Sequence, residues 1–431
     1  MKKYVFILLL GLIFTNSNFS LKNNNLTSSI YEFNIGEIQF DNNRISLDSR
    51  GTTQEVGAPE LPTYSFNYSV QNNKNYEVEY VVNAFEIYEN IIVEPAQPLQ
   101  VAGEEKQFVK NDLLYSSFQQ YPENNLNVNR MSLRGYELLN IEIIPFEYNF
   151  QTKQLKVYHN IDIMINEISD REEFLEIPRS RTFETIYKNY VINADTYQDS
   201  RSFQKPAILY ICGGNLETSS YFDELVNWRK QQGYIVYTAS LSDTGSSTGS
   251  IKNYLENAYD NWENPPEFVC FIGDANGSVY VPTYTVSGGS GWGGPAAQGE
   301  GDYPYSLLDG NDFLPELILG RISVRSTSEF VTIKNKIIGY EKNYANDSDW
   351  LNRISLVGDP YDSGISTVIT NEYIEQLVEL HGGINFIDRK YSGNNYDDWM
   401  RDAINGGTAY LNYRGFYGFS GFTSNDVNQL N

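Results

Sequence analysis

The chain has two thiols, Cys212 and Cys270, and two imidazoles, His159 and His381, so nucleophilic or soft-metal chemistry has four side chains to draw on. Neither cysteine has a histidine near it in sequence, and each lies in an apolar run, AILYICGG and EFVCFIGD. Both read as buried strand thiols rather than nucleophiles. An oxidising compartment would permit a bridge, although neighbouring parallel strands seldom place two Cβ atoms correctly for one. His159 falls in an alternating strand pattern and His381 just before Gly382-Gly383 at a helix end, both away from other ligand-type residues. Structural roles are expected for the two. Carboxylates offer more. Residues 302–341, DYPYSLLDGNDFLPELILGRISVRSTSEFVTIKNKIIGYE, hold Asp302, Asp309 and Asp312 among Pro304, Pro315 and the Asp309-Gly310 pair. Such residues interrupt regular elements, so the acids lie on loops at strand ends. Hard cations such as calcium can take loop carboxylates there; the plainer reading is that the three only cap turns.

The elements that would position these groups follow from the spacing of apolar residues. Leu314 to Leu319 predicts a short strand, Gly320-Arg321 a break, and Phe330, Ile333, Ile337 and Tyr340 a helix. The same alternation runs from Pro206: strand Ala207 to Cys212, helix through Tyr221, Leu225 and Trp228, strand Tyr234 to Tyr237. A helix through Ile251, Tyr254, Leu255, Ala258 and Trp262 and a strand Phe268 to Ile272 continue it. Strands alternating with helices mean a parallel sheet with crossovers, whose strand ends are where sites are made. The run GGSGWGGPAAQGEG, residues 288–301, lacks the Gly-Lys-Ser/Thr ending of a phosphate loop and is read as a loop lining a cleft.

Residues 25–170 show a different period. Tyr76, Val78, Tyr80 and Val82 alternate with polar neighbours, as do Leu155, Val157, Ile161, Ile163 and Ile165 after a slip at His159-Asn160. Six prolines from Pro59 to Pro145 punctuate the strands, which predicts an antiparallel sandwich or barrel. Patterning fails over 171–205, read as a linker with Arg179, Arg181, Arg201 and Lys205 as exposed basic bonds. A net charge of −24 gives a nucleic acid no basic footprint. Lys2-Lys3, the apolar run Tyr4 to Phe14 and Thr15-Asn16-Ser17 read as a secretory signal too short to span a bilayer. No other segment approaches span length, so an exported chain is expected.

Two blocks of the first half, GAPELPTYSFNYSV (57–70) and RGYELLNIEIIPFEYNFQTKQLKVYHNIDIMIN (134–166), resemble the prodomain of the gingipain-like cysteine peptidases. FDELVNWRKQQGYIVYTASL, FVCFIGDANGSVYVP, GDYPYSLLDGNDFLPELILGRIS and KNKIIGYEKNYANDSDWLNRISLVGDP resemble, in order, that family's catalytic domain. The resemblance implies a signal at 1–20, a β-rich prodomain at 21–170, the linker at 171–205 with prodomain removal near it, and a peptidase domain at 206–431. It implies a caspase-like α/β fold with a mostly parallel sheet, often with bound calcium. No other cofactor is required. Partners would be protein or peptide substrates and the chain's own prodomain, and the product a secreted or cell-surface endopeptidase.

The chemistry needs a thiolate to attack the carbonyl, an imidazole to shuttle its proton and backbone N–H groups for the oxyanion. The family carries its histidine in an Asn-Tyr-Thr-Gly-His-Gly block; here the block is ALNYRGFYGFSGF and Phe416 stands in the imidazole's place. Phenylalanine accepts no proton. Gly415 and Gly418 remain as candidates for shaping the oxyanion region. The family's nucleophile follows the next strand, beyond a segment like NDVNQLN, and is expected past Asn431. Its orienting carboxylate maps to Asp359, with Asp362 second and turn capping before Pro360 as the competing role. The residue that selects arginine falls near Ser366 and Thr367, neither acidic, so basic specificity is not expected. A catalytically inert relative used in binding or surface assembly, and a peptidase recruiting His381 as its base, are the alternatives.

Overall fold

The computed structural model describes residues 18–25, 27–36, 38–41, 44–46, 51–98, 108–116, 120–172, 174–197, 199–287, 298–343 and 349–415. The expected signal core, most of the Gly-rich run, Phe416, Gly418 and the NDVNQLN segment lie outside them. The chain forms two compact units, Met1–Phe330 and Val331–Asn431.

The first unit begins with antiparallel strands: β1 (Phe19–Asn24), β2 (Ser28–Asn34), β3 (Gln39–Asp41), β4 (Arg44–Ser46), β5 (Gly51–Thr52), β6 (Pro62–Ser69) and β7 (Lys74–Tyr88). After a helical turn, α1 (Asp112–Tyr115), come β8 (Gln120–Tyr121), β9 (Leu126–Leu133), β10 (Tyr136–Ile143), β11 (Phe146–Asn149) and β12 (Gln154–Asp170). One sheet has the order β1-β2-β12-β11-β8 with β7 also on β12, and a second the order β5-β6-β10-β9. Alternation explains the packing. Phe33 of β2 and Ile161, Ile163 and Ile165 of β12 meet Phe66 of β6 and Ile141 of β10 in one shared core, the interior of a sandwich. Each such side chain contributes about 1.5–3 kcal/mol when fully buried. The slip in the sequence at His159 is a bulge: the β7–β12 register shifts between Tyr158 and Asn160. His159 pairs with Glu86 at 3.4 Å.

The stretch expected to be a linker contains a helix, α2 (Arg181–Tyr190), whose first turn is capped by Ser180 accepting from the Phe183 N–H. Phe183, Ile186, Tyr187 and Tyr190 fall at helical spacing in it, and of these Phe183 and Tyr187 face inward. Both are buried against Met131, Leu133, Tyr136 and Leu138 on the outer face of the second sheet. Two of the four basic bonds expected to be exposed are not. Arg179 donates to Glu184 at 2.7 and 2.9 Å and stands 4.0 Å over the Phe203 ring. Arg201 binds Asp199 at 2.6 Å and stands 5.1 Å over Tyr136. Their side chains are 17% and 12% exposed, so neither is presented to a protease; Arg181 and Lys205 are exposed.

Parallel structure follows in β13 (Ala207–Cys212), α3 (Ser220–Gln231), β14 (Ile235–Ser240), α4 (Leu241–Thr244), α5 (Thr248–Asn261) and β15 (Phe268–Ile272). A β16 (Tyr284–Ser287) and β17 (Gln298–Gly301) ribbon precedes β18 (Ile318–Ile322). The sheet order is β14-β13-β15-β18, all parallel. Its core unites Leu209, Ile211, Val269, Phe271, Ile251 and Leu255. β18 starts four residues later than the apolar run suggests and continues through Gly320-Arg321. Pro315 has no N–H to give a ladder, and the Glu316 carboxylate accepts from the Leu308 and Asp309 N–H groups at 2.7 and 3.2 Å, holding that stretch as a loop. Arg321 stays in the strand because its guanidinium is fully engaged by Asp302 and the carbonyls of Gly273, Val281 and Pro282.

Helix α6 (Thr327–Asn343) leads from the first unit into the second. There β19 (Arg353–Gly358), α7 (Pro360–Ser363), α8 (Ser366–His381), β20 (Phe386–Lys390), α9 (Tyr396–Asn405) and β21 (Tyr410–Arg414) form a sheet of order β20-β19-β21, again all parallel.

Candidate active site at the carboxyl edge of the second parallel sheet

Strand β19 carries the buried run Ile354 to Gly358 and ends where Asp359 turns the chain. The Asp359 side chain accepts from the Tyr361 N–H at 3.1 Å, so it caps the short α7. Its own N–H donates to the Arg414 carbonyl at 2.9 Å. This bond extends the β19–β21 ladder, in which Gly358 faces Arg414, by one step. Asp359 therefore sits beside the chain as it leaves β21 at Gly415. In a parallel sheet whose first strand has neighbours added on both sides, this carboxyl edge is the expected place for a site. Burial pushes up the Tyr396 phenol at the start of α9, and the Asp359 carboxylate adds to the effect.

Beneath that edge lies a polar pair. Asn371 of α8 is fully buried; its amide donates to the Val357 carbonyl at 3.0 Å and to that of Thr367 at 2.9 Å. Its oxygen accepts from Asn412 of β21 at 2.8 Å. The pair ties the helix to the ends of both strands, so the register of β21, and with it the direction of the chain after Arg414, is set by hydrogen bonds rather than by shape alone. Nothing in the sequence distinguished either asparagine from a solvated residue. At the mouth of the site Tyr361 is 89% and Ile365 65% exposed.

Residues 201–431 match peptidase family C25, and residues 25–201 match its propeptide. The chain belongs to peptidase family C25. It thus belongs to a family of cysteine peptidases and carries the propeptide with which they are made. Over 400 residues it is 23% identical to Gingipain R1 of Porphyromonas gingivalis, covering 87% of this chain and 38% of that protein. To Lys-gingipain of the same organism it is 24% identical over 356 residues, 78% of this chain and 20% of that one. The chain spans well under half the length of these relatives. Among solved structures it resembles the complex of Porphyromonas gingivalis RgpB pro- and mature domains, with 20% identity, 41% of this chain, 98% of that chain and a TM-score of 0.37. It also resembles the Arg-specific cysteine proteinase gingipain R, with 23% identity, 55% and 54% coverage and a TM-score of 0.44.

The C25 chain distributes the sequence-derived candidates unevenly. Asp359 and Gly415 are brought to one edge. Asp302, Asp309 and Asp312 are not gathered into a shared site: Asp302 is taken by Arg321 and by the Thr283 hydroxyl at 2.8 Å. Asp309 accepts from the Ser132 hydroxyl at 3.2 Å and Asp312 from the Ser132 N–H at 2.9 Å and the Leu314 N–H at 2.7 Å. Among the described residues no group of three His, Cys, Asp or Glu side chains is placed to hold a metal ion. Cys212 and Cys270 are free thiols on adjacent strands, two positions out of register. Burial pushes both up, Cys270 to about 11, which suits strand packing and not attack. His381 ends α8, whose sixteen residues begin beside Asp359. At 1.5 Å per residue it stands roughly 22 Å from Ser366, beyond reach of the site as a base. No helix among the described residues is long and apolar enough to cross a membrane.

Proposed function

We propose that this chain is the proenzyme part of an exported cysteine-type endopeptidase, directed out of the cell by residues 1–20 and guarded by the sandwich over 21–170. The observation that carries the reading is the hydrogen bond from Asp359 to Arg414. It sets Asp359 beside Arg414, two residues before the position that, in family sequences, holds the catalytic imidazole. In this reading a cysteine beyond Asn431 in the full-length protein forms the thioester, backbone N–H groups around Gly415 and Gly418 receive the oxyanion, and Asp359 takes the place of the carboxylate that orients the family's imidazole, whose own position here holds Phe416. The second half takes a caspase-like arrangement. Substrates are peptides without a required basic residue, because Ser366 and Thr367 offer no carboxylate to select one. Removal of the guard would follow cleavage at Arg181 or Lys205, since Arg179 and Arg201 are held in ion pairs.

Phe416 supports a second reading, an inert family member that binds or assembles at the cell surface. Labelling of the folded, full-length protein with a thiol-directed peptidase probe separates the two. Labelling that rises at least tenfold in Phe416→His identifies a peptidase lacking only its base. A protein that stays unlabelled in both forms belongs to the inert reading.

A further inference from the structure

The β9–β10 hairpin turns at Arg134 and Gly135, both in the left-handed region with φ of +49° and +67°. For glycine this is free, whereas for arginine it requires compensation. Compensation comes from the side chain. It is fully buried and runs out of the sandwich into the parallel-sheet region, where the guanidinium meets a cage of carbonyls. Nη1 donates to Pro266 at 3.0 Å and Glu316 at 2.6 Å; Nη2 donates to Pro265 at 2.8 Å and reaches Gln204 Oε1 at 3.4 Å. The guanidinium carbon is 5.8 Å from the centre of the Tyr259 ring and 5.3 Å from that of Phe183.

The cage asks for a guanidinium in particular. Three backbone carbonyls in a buried space need donors spread in a plane, which arginine's fork supplies and an ammonium does not. Unpartnered polar atoms surround it as well. Glu267 Oε2, Glu316 Oε1 and the Tyr259 hydroxyl are buried without a hydrogen-bond partner in the protein, as is Arg134 Nε. A buried cation removed from such surroundings leaves all of them uncompensated. Pro265-Pro266 leads into β15 and Glu316 into β18, so the cage lies at the amino edge of the first parallel sheet, at the opposite end of these strands from Gly273.

We propose that Pro265, Pro266, Glu316 and Tyr259 form a guanidinium-binding site, with Arg134 as its built-in ligand, and that this one side chain fastens the propeptide sandwich to the peptidase region. The site takes guanidinium cations as a chemical class: an arginine side chain at the tip of a turn, or a small alkylguanidinium once Arg134 is shortened. Its existence does not depend on peptidase activity.

Chemical rescue tests it in the intact chain. Arg134→Ala lowers Tm by about 10 °C, and millimolar methylguanidinium restores at least half of that loss, while methylammonium at equal ionic strength restores none. Arg134→Met, which fills the space without the fork, is destabilised like the alanine variant. Should Arg134→Ala fail to fold, the readout becomes soluble yield on refolding with and without methylguanidinium, and an increase again supports the site. Equal response to both cations, no response to either, or a methionine variant as stable as the parent would each show that Arg134 is only packing, and would overturn the proposal.

Discussion

The chain builds a parallel sheet twice, and the two differ most at their carboxyl edges. In the first sheet the crevice between β13 and β15 is filled by the chain itself. Segment 275–281 crosses it so closely that a Cβ on Gly213 would lie 2.4 Å from the Tyr280 carbonyl oxygen, one on Gly214 2.8 Å from that of Ser278, and one on Gly273 2.7 Å from that of Val279. Asp274, at the end of β15, is consumed by Arg325 and Ser323. In the second sheet the corresponding place, after β19, carries Asp359 beside Arg414 and Gly415, with exposed Tyr361 and Ile365 at its rim. Among the described residues the same strand-turn-helix geometry thus closes one edge and leaves the other uncovered, and the difference lies in the residues after the strand rather than in the sheet.

The largest expected effect tests the closed edge. Gly213→Ala places a methyl group against backbone that cannot yield, and should cost about 3 kcal/mol or more, measured by denaturant unfolding. A cost below about 1 kcal/mol would show the crossing segment to be loose and the crevice open. Next comes the support of the open edge. Asn371→Leu removes the side-chain bonds to the Val357 and Thr367 carbonyls and takes away the acceptor of the Asn412 amide, so a loss of about 2–3 kcal/mol is expected. Asn371→Asp with unchanged stability would remove the amide pair from the account.

How much of this was legible follows physical lines. Asp359 was singled out by the resemblance of RISLVGDPYD to a family block, while its place at a strand end, like the β7 and β12 patterns and the bulge at His159, is local. Arg134 was not visible. Arg-Gly between two strands looks like any hairpin turn, and what makes it a plug is a set of carbonyls more than 130 residues later in the chain. Asn371 and Asn412 were hidden for the same reason, since a buried amide is distinguished only by its partner. Helix α2 was missed although Phe183, Ile186, Tyr187 and Tyr190 keep helical spacing, because that period lasts only two turns inside a stretch of mixed charge beside Pro178. Gly320-Arg321 was misread as a break because the partners that keep Arg321 in its strand come from three other segments.

A pH-dependent effect concerns the first unit alone. Glu316 is raised from 4.5 to about 8, by burial first and by Asp309 as well, against the hydrogen bonds it accepts from Leu308 and Asp309. The charged and titratable neighbours are Arg134, Tyr259, Tyr303 and Asp309. A carboxyl raised by folding stabilises fully below pH 4.5, and that stability is lost as pH rises through about 8. The slope approaches about 1.4 kcal/mol per pH unit inside the window. Glu316→Gln should flatten the dependence of unfolding free energy on pH between 5 and 8; an unchanged slope would assign it to other groups.

The smallest change in stability gives the sharpest contrast between the edges. Asp274→Asn weakens an ion pair whose arginine is 63% exposed, and Asp359→Asn keeps a side chain that caps α7 equally well, so each should cost no more than about 0.5 kcal/mol. Function should separate them. In full-length protein carrying Phe416→His and labelling with a thiol-directed peptidase probe, a further Asp359→Asn is expected to slow labelling at least tenfold, because an amide cannot stabilise the restored imidazolium or fix its tautomer as a carboxylate does. Asp274→Asn should leave the rate within twofold, since Asp274 lies at the edge the chain has closed on itself. Equal slowing by both would mean that the two edges contribute alike to the reactive thiol's surroundings, and the division between a filled crevice and a working one would fail.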